Sequence, residues 1–214
     1  VAAFRLFDHI QHRLRAADLA ASDAEITRLT AYVEILTNWN RRINLTAFAL
    51  DDPSDAAIDR LIVEPVLGSR HIWPYDQTLL DLGSGGGSPA IPLGIMRPAL
   101  RLTMVESRTR KAAFLREAVR TLELEGAAVE NDRYERLSGR AALAGSMNVV
   151  SFRAVRADDE LWVVVRHCLA PGGRVFWFGA PNDIQLPDGF VQSHRLPLDS
   201  GKNSWLTIAE RQRP

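Results

Sequence analysis

Cysteine is almost missing from this chain: Cys168 is the only one in 214 residues, which excludes intramolecular disulfides and thiolate metal clusters together. Lysine is nearly as scarce, with Lys111 and Lys202 set against 24 arginines among the 26 basic residues. Arginine suits bidentate contact with phosphate, although a genomic base-composition bias produces the same excess. Net charge is absent as well, because 26 acidic side chains balance the basic ones, so no global attraction to polyanions operates. The longest uncharged stretch, Leu82 to Met96, is rich in glycine and proline and shorter than the roughly 20 apolar residues that span a bilayer. Arg5, Asp8, Arg13, Arg15 and Asp18 interrupt any apolar signal core, and together these absences predict a cytoplasmic chain with no membrane partner. No internal repeat is visible. What is present, 46% hydrophobic and 24% charged residues, is globular composition, enough to bury one sizeable core with an accessory segment.

Charge is unevenly spread. Residues 1–75 hold eight arginines against ten acids, whereas residues 97–156 hold eleven arginines and one lysine against seven acids. That local excess fits either an anion-facing surface or ordinary solvated helix faces. The first 70 residues read as helices: Ile26, Leu29, Tyr32, Val33, Leu36 and Trp39 recur at three- and four-residue steps behind the N-capping residues Ser22 and Asp23. That stripe is expected to pack as core against a sheet. From Thr78 onward, short apolar runs at Leu79-Leu80, Leu102 to Val105, Val149 to Phe152 and Val175 to Phe178 alternate with helical stretches. The helices fall near Pro89 to Arg97, Thr109 to Glu123 and Asp158 to Leu169, an alternation that implies a mostly parallel sheet covered on both faces. Pro171-Gly172-Gly173 turns the last helix into the next strand, and the runs Phe190 to Leu196 and Trp205 to Ala209, separated by Pro197 and Gly201, predict a closing antiparallel hairpin. The expected division is an N-terminal helical extension, residues 1–74, packed on an α/β domain, residues 75–214.

The informative segment is LLDLGSGGGSPAIP, Leu79 to Pro92. A buried strand runs into Asp81, then Gly83, Gly85, Gly86 and Gly87 form a loop, and Ser88-Pro89 opens a helix. Glycine belongs where the backbone turns sharply or a ligand approaches the main chain without meeting a Cβ. Free amides there welcome a carboxylate. Glu106 ends the next strand 19 residues after Gly87, placed to accept hydrogen bonds from ribose hydroxyls. Strand, glycine loop, helix, strand and terminal acid together point to a nucleoside-type cofactor. The spacing departs from the dinucleotide G-x-G-x-x-G pattern, and no Gly-Lys-Ser/Thr is present, which argues against triphosphate cradling.

The segment Asp81-x-Gly83-x-Gly85-x-Gly87 resembles the first motif of class I S-adenosylmethionine-dependent methyltransferases. The likeness extends, over roughly residues 35–180, to the bacterial 16S ribosomal RNA guanine-N7 methyltransferase family, also called glucose-inhibited division protein B. Its residues here are Trp39-Asn40, Asn44-Leu45-Thr46, Asp81 to Leu93, Arg97-Pro98, Lys111 with Phe114-Leu115, and Ser151 to Ala154. The resemblance implies a Rossmann-like sheet with helices on both faces, S-adenosylmethionine as cofactor, no metal, and a partner that is 16S rRNA or the 30S subunit, acted on by a monomer. It further implies cofactor contacts from Asp81, Gly83, Ser84, Gly85, Gly87, Pro89, Glu106, Ser107 and Arg153, and substrate contacts from Asn44, Arg60, Lys111 and Arg133. Three positions depart from the family pattern. Arg60-Leu61-Ile62-Val63-Glu64-Pro65 stands for Arg-His-x-x-Asp-Ser, Ser-Arg-Ala is stretched to Ser151-Phe152-Arg153-Ala154, and Phe176 to Pro181 lacks the usual lysine. These losses touch the substrate side more than the cofactor side.

Methyl transfer from a sulfonium is an in-line displacement in which positioning is most of the task, and guanine N7 exposes a lone pair that needs no general base. Arg153, at the end of the fourth strand, is the leading catalytic residue, able to donate to O6 or phosphate; pairing with an acid on a neighbouring element is its structural alternative. Asn44 serves equally as a turn former. Arg108, Arg110, Lys111, Arg116 and Arg120, with only Glu117 among them, form a basic helix suited to RNA phosphate. His9 and His12 lie one turn apart without a third metal ligand, Cys168 is expected to pack inertly, and Trp73, Trp162, Trp177 and Trp205 read as core or interface. Two other functions fit the same pattern: a related methyltransferase with another acceptor, and a non-catalytic nucleotide- or RNA-binding module.

Overall fold

In the computed structural model, which describes residues 2–198 and 204–212, one seven-stranded sheet organises the chain in the order β3-β2-β1-β4-β5-β7-β6. β1 (Thr78–Leu82), β2 (Arg101–Val105), β3 (Ala127–Glu130), β4 (Met147–Arg153) and β5 (Leu169–Ala180) run parallel, and β7 (Trp205–Arg211) pairs antiparallel with both β5 and β6 (Phe190–Pro197). The strand order reverses between β1 and β4, the place where open α/β sheets bind ligands. The expected hairpin is present, while Gly201 lies outside the described residues.

Period-two alternation divides the core. Leu79, Leu102, Met104, Val149, Phe176 and Ile208 face one hydrophobic cluster; Leu80, Leu82, Val105, Val150, Phe152, Val175 and Ala209 face the other. The first face is covered by α5 (Ala90–Met96) and α6 (Thr109–Thr121), the second by α7 (Asp159–Cys168) and a 3-10 segment. Asp81, Glu106, Ser151 and Arg153 therefore project on the α5/α6 side, because each is an even step from Leu79, Met104 or Val149.

The N-terminal segment stacks outside that layer. α1 (Ala2–Ala16) packs on α2 (Asp23–Asn40), which Ser22 and Glu25 start with a reciprocal capping box. The α2 stripe is buried as expected, but on its side toward the sheet it meets α5 and α6 rather than strands, so it forms a third layer. A short helix α3 (Asp55–Ile58) runs into a π-helical turn, Asp59–Val63, and then α4 (Glu64–Ser69). Arg13 of α1 pairs with Asp55 and Asp59, and His9, one of the two histidines considered for metal binding, bonds Asp55. Among the described residues no group of three metal-capable side chains occurs.

Several boundaries differ from the sequence pattern. β3 carries no apolar run, and as the sheet edge it is only half buried. Helix α7 stops at Cys168, ahead of Pro171-Gly172-Gly173, which lies in an irregular stretch between the pairs Met147–Leu169 and Val149–Arg174. Cys168 is buried, and desolvation pushes its thiol up to about 11. Trp162 and Trp177 pack with Phe152, Trp73 lies under Arg174, and Trp205 lies under Arg195. No helix of the described residues is long and apolar enough to cross a membrane.

Candidate active site

The loop after β1 is held almost entirely by main-chain bonds. Gly83 and Ser84 N–H donate to Val105 O at 2.9 and 3.0 Å, and Gly87 N–H donates to Ser84 O at 2.7 Å. Gly83, Gly85 and Gly87 all have positive φ (70°, 50° and 85°), a region open to glycine without cost. A Cβ on Gly85 would meet nothing nearer than Gly83 O at 3.7 Å, so its face of the loop is bare main chain. Pro89 stands at the N-cap of α5 rather than inside it, and α5 is one short helix of seven residues.

Glu106 closes the loop from the neighbouring strand. Its Oε2 accepts from Gly85 N at 2.9 Å and its Oε1 from Arg108 N at 2.7 Å. A carboxylate has about four lone-pair sites, so two remain. The loop amides are thus less free than the sequence suggests: only Gly86 N and Ser88 N lack a partner among the described residues. Asn131, after β3, bonds the carbonyls of Glu106 and Ser107 and fixes the turn into α6. Asp81 is 1% exposed; its Oδ1 accepts from Ser151 Oγ at 2.6 Å, across the β1–β4 register pair, and its main-chain carbonyl accepts from Ser84 Oγ at 3.2 Å. Burial pushes the Asp81 carboxyl up to about 6, with the Ser151 hydroxyl opposing that rise.

The opposite wall of the candidate site is a side-chain cluster that meets the loop at Ser88. Arg153 donates to Glu64 Oε2 at 2.7 Å and to the carbonyl of Arg60, and its guanidinium lies 4.9 Å from the centre of the Phe178 ring. Arg60 reaches the same Glu64 oxygen at 3.2 Å, and Ser88 Oγ donates to Leu61 O at 3.1 Å. Glu64 and Arg153 side chains are each 8% exposed. Burial pushes both toward neutrality, Glu64 upward and Arg153 down to about 10, and their mutual attraction opposes it. Arg153 therefore has the acidic partner weighed as its alternative, and its buried Nε is unpaired. The residue after it, Ala154, holds a left-handed backbone at φ 54°, uncommon outside glycine.

Residues 25–183 match the model of the family described as rRNA small subunit methyltransferase G. The chain belongs to that family. "Ribosomal RNA small subunit methyltransferase G" of Neisseria gonorrhoeae (strain NCCP11945) is 37% identical over 199 residues, covering 88% of this chain and 86% of the relative. The protein of the same name from Xanthomonas euvesicatoria pv. vesicatoria (strain 85-10) is 38% identical over 195 residues, with shares of 88% and 86%. Among solved structures, a SAM-dependent methyltransferase from Aquifex aeolicus superposes with a TM-score of 0.57 at 13% identity, covering 76% of this chain and 95% of its own. TrmN from Thermus thermophilus gives 0.53 at 18% identity, covering 69% and 48%. At such identities the structures show the fold, a Rossmann-like class I sheet.

In this rRNA small subunit methyltransferase G family member, the quoted residues fall into three places. Gly83, Ser84, Gly85, Gly87, Pro89, Glu106 and Ser107 gather at the carboxyl ends of β1 and β2; Arg60 and Arg153 gather with Glu64; Asn44, Lys111 and Arg133 lie outside both groups. Asn44 is exposed, and the turn-forming asparagine is Asn40, whose Oδ1 accepts from Leu45 N and Thr46 N at 2.9 and 3.0 Å. Arg133 is exposed and Lys111 half-buried on α6. Sequence reasoning passed over Tyr32, Glu64, Asn131 and Ser151 as site residues. Glu64 had a signal, as the acid four residues after Arg60, and Ser151 had one in its even spacing from Val149; the other two had none.

Proposed function

We propose that this chain transfers the methyl group of S-adenosylmethionine to N7 of a guanine in 16S ribosomal RNA. Its family makes it an S-adenosylmethionine-dependent rRNA methyltransferase; the nucleobase and atom are the step beyond. The observation that carries the reading is the bare face of Gly85 beside Glu106, with the Gly86 and Ser88 amides left unpartnered. Such a cradle fits a ribose diol at the carboxylate and an amino-acid head at the loop. Glu106, Gly83, Ser84, Gly85, Gly87, Pro89 and Ser107 would hold the cofactor, with Asp81 supporting from behind through Ser151.

When bound, the cofactor supplies an electrophilic methyl carbon on a sulfonium. The chain's own task is to present the acceptor in line with it. Glu64, the acid of the opposite wall, is buried and shares its Oε2 between two arginines, so it holds them in place rather than serving as a base for the acceptor. That suits an acceptor whose lone pair is already exposed, as at guanine N7. Arg153 acts as a positioning residue, locking the end of β4 to the carbonyl of Arg60. Both walls come from one chain, so a monomer suffices.

The RNA side is served by α6. Arg108, Arg110, Arg116 and Arg120 are exposed there, and of their side chains only that of Arg116 bonds within the protein among the described residues, to Val129 O at 3.4 Å. Lys111 shares the helix, and Arg133 extends the basic surface beyond β3. Phosphate contacts from such a row make binding steeply salt-dependent. Labelled S-adenosylmethionine offered with 30S particles and with naked 16S rRNA, followed by digestion to nucleosides, tests the reading. It expects label in 7-methylguanosine. Label in another nucleoside or a small molecule supports the altered acceptor, and cofactor binding without transfer supports the non-catalytic module.

A further inference from the structure

The N-terminal helices touch the glycine loop directly. Tyr32 of α2 is completely buried, and its hydroxyl donates to Gly86 O at 2.7 Å. On the same residue, a Cβ built on Gly86 would stand 3.1 Å from Leu45 O and 3.5 Å from Leu36 Cδ1, so α2 and the turn after it lie flush against the loop. That turn is itself rigid, because Asn40 binds Leu45 N, Thr46 N and Thr46 O. Gly86 is therefore gripped through its carbonyl from outside the sheet, while its own amide is one of the two in the loop left unpartnered.

We infer that Tyr32 is a positioning residue for the cofactor site: its hydroxyl fixes the Gly86–Gly87 peptide and so presets the loop that receives S-adenosylmethionine. This rests on the site assignment made above. The other end of that peptide, Gly87 N–H, is bound to Ser84 O, so the Tyr32 bond completes the restraint. Without the hydroxyl, the loop samples alternatives, and apparent affinity falls by the fraction of time it spends out of place. Burial pushes the phenol above its ordinary range, so it stays a neutral donor throughout the working pH range. Affinity for the cofactor is then a property of α2 as much as of the β1 loop.

Calorimetric titration of the full chain with S-adenosylhomocysteine tests this. Tyr32→Phe should bind about five-fold more weakly, the worth of one hydrogen bond. In transfer assays KM for the cofactor should rise by a similar factor, with kcat at saturation nearly unchanged. Ile26→Val, on the same helix and also buried, should lower thermal stability comparably yet leave both values alone, which a purely structural role for Tyr32 would not distinguish. Gly86→Ala, which presses on Leu45 O from the loop side, should weaken binding too, and keeps the test open if Tyr32→Phe folds poorly. Equal affinity in wild type, Tyr32→Phe and Gly86→Ala overturns the inference, as does an equal loss in Ile26→Val. A wild-type chain that does not bind S-adenosylhomocysteine at all overturns the site assignment instead.

Discussion

The two walls of the proposed site are made by different means. The cofactor wall is backbone: a run of nine residues, Asp81 to Pro89, plus one acid on the next strand, with geometry set by positive φ angles and main-chain bonds. The acceptor wall is side chain: Arg60, Glu64 and Arg153, drawn together from a π-helical turn, α4 and the end of β4 across 93 positions of sequence. Backbone geometry of that kind is written locally, in glycines at fixed spacing. Side-chain clusters are written only in the fold that assembles them. The two walls should therefore respond differently to mutation: changes in the first should be read as cofactor affinity, changes in the second as turnover and stability.

The strongest way to break that contrast is Arg153→Ala. It should lower methyl transfer by about 100-fold or more, since small misplacements cost that much, while S-adenosylhomocysteine affinity stays within a few-fold. A large loss of affinity would move Arg153 to the cofactor wall. Glu106→Ala should do the reverse, weakening cofactor binding by roughly 10- to 100-fold through the loss of two charge-assisted acceptors at Gly85 and Arg108. Glu64→Ala strands two arginines, one deeply buried, and should cost about 3 kcal/mol in urea unfolding. Its cofactor affinity should hold wherever the variant is folded.

The smallest effect concerns pH. Asp81 holds its proton up to about 6 in the folded chain, above its unfolded range. The folded state therefore binds more protons than the unfolded state between about pH 4 and 6, so Asp81's favourable contribution is complete below that window and lost as pH rises through it. Asp81→Asn should flatten this part of the stability profile, by up to about 3 kcal/mol at its upper end, measured as urea midpoints across pH 4–7. An unchanged slope would mean that Ser151 compensates the burial fully.

How much of this was legible in the sequence follows the same divide. The four inner strands alternating with helices, the closing hairpin, the glycine loop and Glu106 were all visible, because each depends on periodicity or on glycine and proline at set distances. β3 was not: Ala127-Ala128-Val129-Glu130 has no alternation, and its pairing to β2 is imposed by the sheet edge rather than by its own composition. The α2 stripe was visible as a buried face, but which layer it meets depends on α5 and α6 lying between it and the sheet. Arg153 was singled out by its place at a strand end, yet its partner Glu64 was noted only as a departure from a pattern. Tyr32 looked like one more apolar residue at helical spacing; nothing local distinguishes a tyrosine chosen for its ring from one whose hydroxyl meets a loop 54 positions away.

The central claim is that the bare loop at Gly85 receives the cofactor. Titrating S-adenosylhomocysteine into the wild-type chain and into Gly85→Arg, both checked as folded by circular dichroism, addresses it most directly. Saturable one-site binding by the wild type and none by the variant is the predicted result. Equal binding by both, or none by the wild type, would contradict it.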